Sequence, residues 1–467
     1  MSKQAGTNPW WRPVLFAAFA GGMGWGIRGQ YGHETGAMIA GLLVSLVLVL
    51  LLYPDAGSLR AARAVALATV AMGFGGSETY GQTVGLTHNA DMIGNWAGLS
   101  WGLFGLAIKG GVWIGFAGLF LGMGMGGVRY RTREVLLVML ALVGAYFLGA
   151  YLLNSPYDPA NKILPRIYFS ADWRWTPGGV DIKPRREGWG GLWFALALAT
   201  LYAGWRRKDG LAWRLALWGV VGGAIGFPLG QSLQAYHAWN RDLFREGIWL
   251  QLDPHMNWWN MMETTFGATM GAVLGLGAWI HRGRIRPRED SPELPGAAEW
   301  LLLGVHTTLL MLAEFGHVPI VSRWYGLGLI MGILPMLAVA GGRWWPYFVI
   351  FPLTLLPIAG KTVRELVYHA SAIGAAPGWT VYFAIPVLAS AVALWQAVRA
   401  GRDVLRWALL LSTWTYFLLN FAFFRYPWPW ESWTGRTPNA IIFTVCAAGL
   451  TVLASMSGRR QAVAKPG

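Results

Sequence analysis

GGMGWGIRGQYGHETGAMIAGLL, Gly21 to Leu43, decides how the rest of the chain is read. An apolar run from Val14 to Ala20 enters it, and a longer one, Ala37 to Leu52, leaves it. Between them Arg28, Gln30, His33 and Glu34 are separated by glycines at 24, 26, 29 and 32. Ionisable groups flanked by membrane-type helices are expensive and face a partner or a watery cavity. Glycines at this density weaken a helix. An interrupted helix at membrane depth is tolerated where its freed backbone groups line a cavity. The stretch therefore predicts a substrate or ion site built on broken helices.

The composition around it is that of an all-α, polytopic integral membrane protein. Of 467 residues, 55% are hydrophobic and 13% charged, with a mean hydropathy of +0.41; soluble domains carry about 25% charged residues. Segments of the length a bilayer requires suggest about 13–15 transmembrane helices, some broken at glycine. The net charge of +15 does not indicate nucleic acid. Its arginines sit in short clusters between apolar runs: 129/131/133, 206/207, 282/284/286/288, 399/402/406 and 459/460. All of these fall on one side of the expected topology, the positive-inside pattern, which puts the C-terminus in the cytoplasm. The expected location is a cell membrane, the inner membrane of a bacterium. Cys446 is the lone cysteine, which excludes an intrachain disulfide and a cysteine-based metal cage. The first apolar run lacks a small-residue cleavage signal and is expected to be retained.

Three parts are expected: a glycine-rich membrane core with intramembrane polar residues (1–281), a charged cytoplasmic linker (282–297) and a second helical bundle (298–467). Two long connections, 154–188 and 231–262, fall on the outer side. The core carries traces of repetition. Gly22, Gly24, Gly26 and Glu34 recur one hundred positions later as Gly122, Gly124, Gly126 and Glu134, and a Gly-Gln step occurs at 29–30, 81–82 and 230–231. Duplicated helix–break–helix units are a habit of transporter folds. The 29 tryptophans include pairs near expected span ends, Trp10/Trp11, Trp258/Trp259 and Trp344/Trp345. Interfacial anchoring accounts for them better than stacking platforms for flat ligands do.

Three clusters are candidates for solute binding. The first is Arg28, Gln30, His33 and Glu34, with Arg28 pairing with Glu34 across the break and Glu34 favoured at a helix N-terminus. The second is Glu78, Gln82, His88, Asp91 and Asn95, for which a solvated loop is the plainer reading. The third is Gln231, Gln234 and His237. Glu263, a carboxylate among apolar residues, is the expected proton carrier. No E-x-x-H or H-E-x-x-H pairing supports a metal site, and the sequence implies no cofactor. His306, Glu314, His317 and Arg323, and again Lys361, Arg364, Glu365 and His369, read as solvated rims of two spans.

Three functional classes follow. The leading one is a transporter, secondary-active or facilitative, for a small polar or charged solute bound at mid-membrane. The second is a membrane-embedded transferase moving a sugar or acyl group from a lipid-linked donor, with a loop carboxylate such as Asp172, Asp181, Asp242 or Asp253 as base. The third is a non-catalytic scaffold subunit. Expected partners are the bilayer and a small solute or lipid-linked substrate; whether the chain is an enzyme, and its oligomeric state, stay open.

Overall fold

The structure is a computed structural model that describes residues 8–76, 80–177, 182–287, 291–316, 318–399, 403–425 and 432–463. The chain is 78% helical, and among the described residues there is no strand. Its first half contains α1 (Trp11–Arg28), α2 (Glu34–Leu52), α3 (Ser58–Gly75), the short α4 (Gly81–His88), α5 (Trp96–Met125), α6 (Thr132–Leu153), α7 (Trp189–Leu201), α8 (Ala212–Trp239) and α9 (Trp258–Ile280). The second half contains α10 (Gly296–Met311), α11 (Pro319–Gly326), α12 (Leu329–Gly341), α13 (Trp345–Ile350), α14 (Pro352–Val363), α15 (Ile385–Arg399), α16 (Val404–Phe423) and α17 (Thr437–Val463).

Among the described residues eight helical stretches are long and apolar enough to cross a bilayer, or nine if α11 and α12, bent by 68°, form one broken span. This is fewer than the 13–15 expected from the sequence, for a physical reason. Helices α1, α3, α9 and α16 have 18 to 23 residues, but glycine, arginine and other polar groups dilute them. Helix α7 has 13 residues before a π-helical turn.

Glycine dictates how the first half packs. A methyl group on Gly223 would overlap the Gly110 carbonyl oxygen, and one on Gly219 the Ile114 carbonyl. Along the same seam, methyls on Gly118 and Gly122 would run into Leu215 and Ala212. One residue number rises as the other falls, so α5 and α8 are antiparallel with their backbones nearly touching. The same test pairs Gly21 with Gly267, Ala17 with Gly271 and Pro13 with Gly275 between α1 and α9. Between α8 and α9 it pairs Gly230 with Met262 and Gly226 with Phe266. Gly24 meets Ala40 between α1 and α2, Gly41 meets Met72 between α2 and α3, and Gly124 meets Ala64 between α3 and α5. The six helices α1–α2–α3–α5–α8–α9 thus close into an antiparallel ring, joined by the small-residue contacts that let helices associate where neighbours are equally apolar. Rings at one end fill it: Trp25 lies 4.8 Å from Trp113 and 4.4 Å from Phe266, which stacks 4.6 Å from Phe227. Trp25, Trp113 and Trp345 are fully buried, so interfacial anchoring does not describe these three.

The alternating directions sort the connections into two ends. One end gathers arginines. Arg63 donates to the carbonyls of Val339 and Gly342 at the end of α12 (2.9 and 2.8 Å), Arg129 pairs with Glu293 (2.7 Å), Arg207 with Glu134 (2.7 Å), and the Arg286 amide donates to Met125. The opposite end, here the loop end, holds the α1–α2 connection, α4, and the connections after α6 and α8.

The second half packs against α1, α2 and α3. The stretch Trp345–His369 is 94% buried over its most apolar window, as is α2. It is broken at Phe351 (φ −142°, ψ −75°), where Pro352 opens α14. Proline removes a donor and the preceding residue is pushed out of the helical region, and the Thr354 hydroxyl donates instead to Val349 O (2.5 Å).

Candidate functional site

The connection between α1 and α2 is five residues long and tightly bonded. The Tyr31 amide donates to Arg28 O (2.8 Å), and the Gly36 amide donates to Tyr31 O (3.2 Å). Gly32 has φ +85°, a conformation that favours glycine. Gly29 is exposed, while Gln30, Gly32 and His33 are half-buried. The break is therefore a surface feature of the loop end with buried charge directly beneath it.

That charge is Arg28 and Glu263. The guanidinium Nη2 lies 3.0 Å from Glu263 Oε1, and both side chains are 2% exposed. Arg28 comes from the last turn of α1 and Glu263 from the second turn of α9, neighbours across the glycine seam. The expected partner was Glu34; packing register, which places α9 against α1, decides otherwise. Glu263 also accepts from Trp259 Nε1 (3.1 Å), the Tyr80 hydroxyl (3.4 Å) and Asn260 Nδ2 (3.3 Å), which donates in addition to Gly26 O (2.5 Å). Arg28 donates further to the Tyr80 hydroxyl, and its Nη1 stands 3.4 Å from His33 Nδ1. Its guanidinium carbon lies 4.9, 5.2 and 5.7 Å from the rings of Trp25, Tyr80 and Trp113, within cation–π range. Gly29 permits the approach: a methyl there would stand 2.5 Å from Glu263 Oε2.

A second cluster grips the same five residues from the other side. Lys361 Nζ, from α14, donates to Tyr31 O (2.7 Å), Thr35 Oγ1 (2.8 Å) and the Tyr325 hydroxyl (3.1 Å), and lies 4.0 Å from Glu314. Glu314 pairs in turn with Arg364 (2.8 Å). Lys361, Glu314 and His306 are all buried, which corrects the expectation of solvated rims: Lys361 faces the break, Glu314 faces Arg364, and the His306 ring lies 5.5 Å from that of Trp345, while His317 lies outside the described residues. Glu34, the first residue of α2, lies between the two clusters and is 9% exposed.

The remaining candidates scatter. Gln231 and Gln234 are buried in α8, and Gln231 Nε2 donates to Thr87 Oγ1 (2.6 Å). Gly230 and Gln231 lie inside α8 rather than at a break. His88 packs edge-on to Trp259 at 6.2 Å and bonds Val84 O (2.9 Å); burial pushes its imidazole below the usual histidine range. Gln82 points away, bonding Lys183 O (2.7 Å) and the Arg185 amide (2.9 Å). Asn95 caps α5 through Gly98 N (2.9 Å), Asp91 is exposed, and His237 pairs with Asp253 (2.9 Å). Glu78 lies outside the described residues. The structure thus brings together Arg28, His33 and Glu263, with Gln30 and Glu34 on the same loop and His88 one ring away. Sequence reading missed Tyr80, Trp259, Asn260 and Lys361. The first two look like interfacial aromatics, and Asn260 looks like part of a loop.

The loop end is stapled by one more buried pair. Lys109, midway along α5, lies 2.8 Å from Glu187 with both side chains fully buried. Glu187 also accepts from the Phe169 amide (3.1 Å), Ser170 (2.7 Å) and Trp189 Nε1 (3.2 Å), which anchors the 154–188 connection. Comparison of the chain with protein families, with curated proteins and with solved structures gives no match. What the fold and site define is an all-helical chain with, among the described residues, eight helices long and apolar enough to cross a bilayer and a buried ion pair at a helix break.

Proposed function

We propose that the chain is an integral membrane protein, basic end in the cytoplasm, that carries a small charged solute past the α1–α2 break. The observation that carries this reading is the Arg28–Glu263 pair, 2% exposed yet beneath exposed Gly29. An ion pair buried this way is weak evidence for stability, since desolvating two charges offsets most of their attraction. A working role explains its retention better. A small anion entering past Gly29 takes over the Nη donors of Arg28; Glu263 accepts a proton as its partner leaves, so that one proton accompanies one negative charge. The breaks between α1 and α2 and between α13 and α14 fit a transporter core built on interrupted helices. The site sits toward the loop ends of the helices, the outer side in this reading.

The transferase alternative has one observation in its favour. An apolar crevice of about 80 Å³ between α6 and α12, lined by Phe74, Tyr146, Leu192 and Ile333 among others, has the character of an acyl-chain site. Three of its four proposed bases are engaged, however: Asp172 with Arg174 (2.6 Å), Asp253 with His237 and Trp258, and Asp242 with Arg245; Asp181 lies outside the described residues.

Proteoliposomes loaded with a pH-sensitive dye test the reading. Lactate, succinate, phosphate and sulfate are added outside in turn. The expected result is that one of them acidifies the lumen in wild-type vesicles and that Glu263→Gln abolishes the signal. Flux unchanged in both Glu263→Gln and Arg28→Ala would remove the site from the mechanism.

A further inference from the structure

One face of α16 is polar in apolar surroundings. Thr413, Tyr416 and Asn420 follow at spacings of three and four, which places them on one face of the helix. All three are buried, at 1%, 0% and 3% exposure. Yet Thr413 Oγ1, the Tyr416 hydroxyl and Asn420 Nδ2 have no hydrogen-bond partner among the described residues. Other buried hydroxyls in these helices satisfy themselves on the preceding turn: Ser412 on Ala408 O (2.6 Å), Thr69 on Val65 O (2.8 Å), Thr362 on Ile358 O (2.9 Å). An unpaired buried donor carries its full desolvation penalty, and a buried tyrosine hydroxyl normally finds a partner. Three in succession on one face mark a surface that meets something polar.

Its position says what. The Tyr416 ring lies 6.2 Å from Phe351, the residue at the α13–α14 break. One turn beyond Asn420, Phe423 packs 5.4 Å from Tyr31, whose hydroxyl is 3.3 Å from Thr362. Toward the basic end the same side of the helix closes with buried Leu409 and Leu405. The polar face therefore runs from one helix break to the other and stops at an apolar plug.

We infer that this face is the inner half of the solute path, a narrow track of hydroxyl and amide groups that takes a small hydrophilic solute with its water. The inference rests on the transport reading and extends it from the entry site to the interior. From Thr413 to Asn420 the track is about 10 Å long at 1.5 Å per residue. Its groups are neutral and both donate and accept, so they hydrogen-bond the solute and its water without trapping its charge. Leu405 and Leu409 form the inner gate.

Cysteine accessibility tests this independently of flux. Cys446 is the lone cysteine and is buried, so Cys446→Ala gives a thiol-free background. Thr413→Cys and Asn420→Cys are compared in proteoliposomes with Leu418→Cys, on the outward side of α16 at 59% exposure. The probe is a charged methanethiosulfonate present on both sides of the membrane. Because the thiolate is the reactive species and forms in water rather than hydrocarbon, the two track positions should react at least about tenfold faster than Leu418→Cys. Reaction as slow as that of Leu418→Cys, in protein that stays monodisperse, overturns the track. Tyr416→Phe is the second check. In a dry core, removing an orphan hydroxyl raises the thermal midpoint, which would also overturn it; a midpoint unchanged or lowered supports a wet face. Labelling without flux would sustain a water-lined track and sink the transport reading, and flux without labelling would sink the track alone.

Discussion

Removing one member of the Arg28–Glu263 pair should be costly, and removing both much less so. Glu263→Gln keeps the shape of the side chain. With its carbonyl in place of Oε1 it still accepts from Trp259 and Arg28, but its amide N–H groups are then aimed at the Asn260 amide, and the negative charge is gone. Arg28 is left as an uncompensated charge at 1% exposure. Breaking a buried pair in this way costs about 3–5 kcal/mol. At roughly 2 °C per kcal/mol for a chain of this length, the midpoint falls by about 6–10 °C. Arg28→Met alone strands the carboxylate among Trp259, Asn260 and Tyr80 and should cost a similar amount. In the double variant neither charge remains, and methionine fills the box of Trp25, Tyr80 and Trp113 with favourable sulfur–aromatic contacts. Its cost should be well below the sum of the singles, with a coupling energy of about 2–3 kcal/mol. Thermal unfolding in detergent, followed by tryptophan fluorescence, measures the cycle. Additive singles, or singles costing under about 1 kcal/mol each, would show that the two groups do not depend on one another and that the geometry argued for here is wrong.

Two further outcomes follow from the packing. Gly223→Ala drives a methyl into the Gly110 carbonyl, and since backbone cannot yield cheaply it should destabilise by about 1–3 kcal/mol or more; the same change at Gly144, where a methyl meets nothing within 4 Å, should be neutral or better in the same melt. Lys109→Met leaves Glu187 buried without its cation and should release the 154–188 connection, read as faster tryptic cleavage at Lys162 and Arg166, with Lys109→Met/Glu187→Gln restoring most of the protection; cleavage unchanged in the single variant would show that the pair does not anchor the loop.

The break was legible because it is written locally. Glycines at 24, 26, 29 and 32 around Arg28, between two apolar runs, leave few alternatives. Glu263 was legible as a misfit, a carboxylate in an apolar run. Its partner was not. Arg28 has Glu34 six residues away and Glu263 235 residues away, and the nearer carboxylate is the natural reading of a sequence. The choice is made by the α1–α9 glycine seam, whose register is a property of two helix surfaces together. Lys361 was misread for the opposite reason. Its neighbours Arg364, Glu365 and His369 look like a wet span end, and the π-helical turn over Arg364–His369 carries them there, but Lys361 itself is one turn deeper and turned inward. The polar face of α16 was invisible because scattered Thr, Tyr and Asn in a membrane-length helix usually bond their own backbone or neighbours, and only coordinates show which do not.

The two buried clusters share one short piece of chain, and that has a mechanical consequence. Arg28 is the last residue of α1; three residues on, the Tyr31 carbonyl accepts from the Gly36 amide, the Thr35 hydroxyl (2.6 Å) and Lys361. The ring side of the connection is rigid, since six glycine seams leave no room for α1 or α9 to slide. The other side is not: α14 is bounded by the Phe351 break on one end and a π-helical turn on the other. If a solute replaces Glu263 on Arg28, the connection must readjust, and the strain passes through Tyr31 to Lys361 on α14, an element with a break at each end. A ligand shifts a conformational equilibrium only by its differential affinity for the two states. Here that differential is available, because the contacts made to Arg28 and the contacts made by Lys361 cannot change independently. Movement of α14 would in turn change what Phe351 presents to Tyr416, and in the proposed mechanism that would couple binding at the entry to opening of the track along α16.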